Sequence, residues 1–177
     1  MLNCIINILL LLFLYPVDGN QEVQAQQSDI QGVIKLAKYA SWPADKQNGK
    51  TTIMIAPQSD ETFQLALDNG ANSKILDSDV EIKRISNIEE AISQADVIFI
   101  ESGASVDADK IIEMAAGRHI LTITNDMDIL DKGCMFYVKH DGGTEEFSYL
   151  YNKDAVLASS LDISAHILAP DHKYRKQ

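Results

Sequence analysis

Val97-Ile98-Phe99-Ile100 is the stretch that most narrows the folds open to this chain. Four large apolar residues run together between Asp96 and Glu101 without the polar alternation of a strand that has one face in water. A strand of this kind belongs inside a parallel sheet with helices on both sides. The flanking segments agree. Thr51 to Ala56 (TTIMIA) reads as a strand, Pro57 breaks it, and Ser59-Asp60 opens a helix from about Glu61 to Leu67 that Asn69-Gly70 ends. Val80 to Ile85 alternates as a second strand, and Asn87 caps a helix over Ile88 to Gln94. After the central run, Ser102-Gly103 leads into a helix over Asp107 to Ala116 with Gly117 as C-cap. His119 to Thr124 is a fourth strand, and Asn125 to Asp131 is a polar connection or one helical turn.

The carboxyl-terminal part changes rhythm. From Gly133 to Lys139, Cys134, Phe136 and Val138 alternate with Met135, Tyr137 and Lys139; Asp141-Gly142-Gly143 supplies a positive-φ turn, and Phe147, Tyr149 and Tyr151 alternate on the return. This predicts an antiparallel hairpin. Asn152 then caps a long closing helix with Val156, Leu157, Leu161, Ile163, Ile167 and Leu168 on its buried face, stopped by Pro170. At the other end, Ser28 or Asp29 caps a helix through Ile30, Val33, Ile34 and Ala37 that runs out at Trp42-Pro43, because the residue before proline is pushed away from helical angles. The expected fold is α/β: a three-layer sandwich, mostly parallel, with helices on both faces and an antiparallel C-terminal hairpin plus closing helix.

Residues 1–25 read as a secretory signal peptide, with an uncleaved amino-terminal anchor as the alternative: Met1 to Tyr15 is apolar, Pro16 ends the run, and Val23 and Ala25 form a small-residue cleavage site, with Gly19 an earlier one, although no Lys or Arg precedes the apolar core. Residues 26–177 then form one domain outside the cytoplasm, not membrane-spanning once the signal is removed. Losing Asp18 and Glu22 takes the formal charge from −11 to −9. With that balance, a surface tracking nucleic-acid phosphates is not expected. Cys4 lies within the signal, which leaves Cys134 without an internal disulfide partner and reads it as a buried small hydrophobe or a thiol available for an intermolecular bridge.

No catalytic residue, cofactor site or metal site is expected. Pro57-Gln58-Ser59-Asp60 lacks the glycines that let a backbone approach a pyrophosphate, and there is no Walker sequence. There is no G-x-S-x-G elbow for a serine nucleophile, and the four His are too dispersed for a zinc set. Asp126, Asp128 and Asp131 lack the glycine and closing Glu of a calcium loop. The chain therefore reads as non-enzymatic. Trp42, the only Trp, is a core plug or, with Tyr39 and Pro43, a partner-facing anchor. A small-molecule binding protein using the crevice at the strand ends is the alternative.

Several short patterns converge: Leu36-Ala37-Lys38-Tyr39-Ala40-Ser41-Trp42-Pro43, Leu121-Thr122-Ile123-Thr124, Gly133-Cys134-Met135, and Tyr149 and Asn152 ahead of Leu161-Asp162-Ile163-Ser164. Together they resemble the YfiR family of small exported bacterial proteins. Cys134 stands at the second glycine of that family's pair, Asp162 at a commonly basic position, and the paired cysteines of some members are missing. The resemblance implies a periplasmic protein without catalytic residues that represses a membrane-bound diguanylate cyclase by engaging its periplasmic sensor domain. It implies an inner-membrane signalling partner and leaves a homodimer open.

Overall fold

A computed structural model describes residues 29–43, 49–140 and 147–169. The signal-peptide reading of residues 1–25 and the Asp141-Gly142-Gly143 turn lie outside them. Residues 29–37 form helix α1. There follow β1 (Ala40–Ser41), β2 (Lys50–Ala56), α2 (Asp60–Gly70), β3 (Lys74–Ile75), β4 (Ser78–Arg84), α3 (Ile88–Gln94), β5 (Val97–Ile100), α4 (Ala108–Ala115), β6 (Leu121–Thr124) and α5 (Met127–Asp131). The chain closes with β7 (Phe136–His140), β8 (Phe147–Tyr151), α6 (Lys153–Ala158), β9 (Asp162–Ile163) and a 3-10 turn at Ala165–Ile167.

Seven strands form one sheet in the order β3-β4-β2-β5-β6-β7-β8. From β4 to β7 neighbouring strands are parallel, while β3 and β8 lie antiparallel at the two edges. The alternation of side chains along β2 and β5 builds the two outer layers. Ile53, Ile55, Val97 and Phe99 face one core with Val33, Leu36 and Ala66 of α1 and α2; Met54, Ala56, Ile98 and Ile100 face the other with Ile92, Ile111 and Ala115 of α3 and α4. All four residues of β5 are 0% exposed, so its unbroken apolar run is spent on two cores. The α/β sandwich read from the sequence is the fold observed.

Local chemistry explains where the helices start. Ser59 and Thr62 make a reciprocal capping box on α2, and Asn87, Asp107 and Asn152 each accept a backbone N–H at the start of α3, α4 and α6. Helix α1 lies close on the sheet at Gly32, where a Cβ would meet Val138 Cγ2 at 2.6 Å.

Two expectations change. The long closing helix is only the six residues of α6; Ser159 turns extended, and Asp162–Ile163 pairs antiparallel with Ala40–Ser41 as a separate two-stranded sheet. The helical reading took Leu157 as buried, but it is 71% exposed. Leu161 and Ile163, two residues apart, carry the burial instead, which is a strand period. Ser160 fixes the break, its Oγ donating to Gly117 O at 2.9 Å while its own carbonyl lies 2.7 Å from His119 Nδ1. The stretch where the first helix was expected to run out before Trp42-Pro43 is likewise partly strand, since Ala40 and Ser41 pair with Ile163 and Asp162.

Candidate functional site

Tyr39, Trp42 and Pro43 leave α1 together but go to different places. Ser164 N donates to Tyr39 O at 2.9 Å, anchoring the segment beside β9. The Tyr39 side chain stays 39% exposed and stacks on His166, ring centroids 5.9 Å apart. Tyr149 is near enough that its phenol pKa is pushed up by burial and then by the field of Tyr39. Phe147 packs 6.2 Å from Tyr149, with Lys35 Nζ 5.2 Å over its ring. Tyr39 just after α1, Phe147 and Tyr149 of β8 and His166 of the 3-10 turn thus make one aromatic face, of which the sequence reading marks only Tyr39 as partner-facing.

Trp42, by contrast, is 9% exposed, as the core-plug reading expects. Its Nε1–H donates to Asp96 O at 3.3 Å, and Asp96 Oδ2 accepts from Thr52 N at 2.8 Å, so the indole is locked to the amino ends of β2 and β5. Pro43 is half-buried beside it. Trp42 also lines a cavity of about 150 Å³ with Lys50, Thr51, Ile75, Leu76, Asp77, Ser78 and Asp96. At its lip, Leu76 is the only non-glycine residue with positive φ among the described residues, at 55°, and is 61% exposed. That backbone angle costs a leucine on the order of 1–3 kcal/mol.

The opposite, carboxyl ends of the strands are where parallel sheets commonly receive ligands. Helix α2 follows β2 on one face and α4 follows β5 on the other, so their loops part between these neighbours. Glu101, 3% exposed, spans that gap. Its Oε2 accepts from Gln58 N at 2.6 Å and from Thr62 Oγ1 at 2.8 Å. Desolvation pushes its pKa up, opposed by those two bonds, while Asp29 adds a smaller upward push. Asn125 links the elements around it, Nδ2 donating to Asp29 Oδ2 at 3.0 Å and Oδ1 accepting from Ser102 N at 2.7 Å. Ser102 Oγ donates to Asp126 Oδ2 at 2.9 Å, and Asp126 also caps α5, so the Asp126 side chain serves the fold. Among the described residues no group of three or more His, Cys, Asp or Glu is placed to hold a metal ion.

Glu101 is a site residue that the sequence reading does not name. The signal was available: an acid directly following the most buried strand, at the sheet's switch point, has little water to face. Cys134 is fully buried, and desolvation pushes its thiol up to about 12.

This fold, with its polar switch point and aromatic flank, defines a mostly parallel α/β sandwich. Its sequence matches the YfiR/HmsC-like family over residues 26–169, and the chain belongs to that family. No curated protein matches it. What membership supports, at the level of the family, is a periplasmic regulator of diguanylate cyclase activity with a membrane signalling partner. No helix among the described residues is long and apolar enough to cross a membrane.

Proposed function

We propose that this chain is a non-enzymatic periplasmic regulator that represses a membrane-bound diguanylate cyclase by binding its periplasmic sensor domain, and that it docks through the face around Tyr39. The exposed Tyr39 ring stacked on His166 carries the reading. Aromatic side chains with a polar tip, held rigidly at a surface, are the usual anchors of protein interfaces. At the switch point, Glu101 already bonds across the gap between the β2 and β5 loops, which supports surface docking over a substrate held in the crevice. Repression then follows from population shift: a regulator that prefers one conformation of the sensor biases the cyclase only as far as its affinities for the two states differ.

Capture from gently solubilised inner membranes tests this, using wild type and Tyr39→Ala. Wild type should enrich a membrane signalling protein, and Tyr39→Ala should melt as wild type yet lose roughly 2 kcal/mol of binding, about 30-fold. Equal capture by the variant would remove Tyr39 from the interface. Absence of any membrane partner with wild type would overturn the regulatory reading.

A further inference from the structure

We infer that the partner surface seated on the Tyr39 face is acidic, with its carboxylates set against Lys35 and Lys38. This rests on the reading that the chain docks through that face, and adds the chemistry of what docks there. Helix α1 buries Ile30, Val33, Ile34 and Ala37 in the core and leaves Gln31 and Lys35 outside. Lys38 continues the outer line just past the helix, its N–H donating to Lys35 O at 3.3 Å, and Tyr39 follows directly. Three residues apart, the two lysines share one side of the chain. Lys35 is held in place: its Nζ lies 5.2 Å over the Phe147 ring, and Phe147 packs on Tyr149. The face therefore presents an ordered cation beside partly exposed aromatic rings.

The charge pattern selects the occupant. The chain carries −11 overall, and five of its other Lys and Arg side chains, Lys110 and Lys132 among them, are each held by an Asp or Glu within 3.4 Å. Among the described residues neither Lys35 nor Lys38 has an ion pair. Asp29, at the far end of α1, accepts from Asn125 Nδ2 at 3.0 Å, and Asp162 of β9 is exposed without pairing with either lysine. Two cations with no carboxylate of their own, next to an exposed phenol, complement a partner that brings the acids. The rest of so acidic a chain repels such a partner, which steers it to this face. The number of cations favours an acidic protein segment over an anionic membrane. Attraction to anionic lipid takes clusters of about four to eight Lys or Arg, whereas two lysines around an aromatic anchor suit a short acidic segment.

Hexaglutamate is the probe, titrated into the isotope-labelled purified protein at low salt while backbone amide shifts are followed. Saturable shifts should gather around Lys35, Tyr39, Phe147 and His166, and should vanish at about 0.5 M salt, where screening acts within about 4 Å. The double variant Lys35→Gln, Lys38→Gln should bind hexaglutamate at least about fivefold more weakly. It should melt close to wild type, because both side chains are exposed. In capture from gently solubilised inner membranes, the same variant should retain less of the partner than wild type, and capture by wild type should fall as salt rises. Four results would each overturn the inference: no saturable shifts, shifts centred away from this face, a double variant that binds hexaglutamate as tightly as wild type, or tighter binding to phosphatidylglycerol vesicles, which would make a membrane the occupant. Capture of a partner that is indifferent both to salt and to the double variant would likewise remove the acidic complement, while leaving the regulatory reading in place.

Discussion

Replacing Trp42 by Ala separates a core plug from a dispensable aromatic, and the structure sets the size of the effect. A large aromatic side chain buries on the order of 150–250 Å², worth about 4–6 kcal/mol at about 25 cal/mol per Å². Trp42 is 9% exposed, so nearly all of that area is at stake. The variant also loses the bond from Nε1–H to Asp96 O, a net contribution of about 1 kcal/mol. Against this, the indole borders a cavity of about 150 Å³ that opens to the surface beside Lys50 and Leu76, so water can enter the enlarged space and part of the loss is recovered. The expected cost is about 3–5 kcal/mol, a large share of the roughly 5–15 kcal/mol that holds a domain together. Urea unfolding followed by far-ultraviolet circular dichroism measures it, and Trp42→Phe serves as partner: it keeps most of the packing and should lose about 1–2 kcal/mol. A Trp42→Ala variant within about 1 kcal/mol of wild type would refute the reasoning and show that the indole does not close the amino ends of β2 and β5.

Glu101→Gln keeps an acceptor for Gln58 N and Thr62 Oγ1 but removes the buried charge. Burial raises the folded pKa of Glu101 above its ordinary 4.5, so its contribution is fully present below 4.5 and lost as pH rises through the folded value. The variant should therefore gain on wild type in urea midpoint over that climb, and a gap that does not change with pH would contradict the burial argument. Leu161→Ala should cost about 2–5 kcal/mol, because Leu161 is 9% exposed in the α1-side core; an unchanged melting temperature would show that the segment around β9 does not pack there. Cys134, with its thiol pushed up to about 12, should resist alkylation at neutral pH until the protein is unfolded in denaturant, and rapid labelling of the native protein would place it at the surface.

The sequence by itself determined the layers. Val97-Ile98-Phe99-Ile100 could satisfy four consecutive apolar side chains only between two cores, and Ser59, Asn87, Asp107 and Asn152 could mark helix starts because a cap acts within three residues of its own position. The hairpin strands were legible for the same local reason. Their alternation survives as the pairing of Phe136 with Tyr151 and Val138 with Tyr149. Tertiary structure decided what lies between distant segments. Leu161 and Ile163 suit a strand spacing and a helix face alike when read along the chain, and only Ala40–Ser41, far away in the chain, makes Asp162–Ile163 a strand instead of two more residues of helix. The same dependence placed Tyr39 against His166, tied Trp42 to Asp96 O and set Glu101 between Gln58 and Thr62. Burial of a single polar or aromatic side chain is a property of everything packed around it, so a spacing read along one segment reveals the strand that carries Glu101 but not the loop that removes its water.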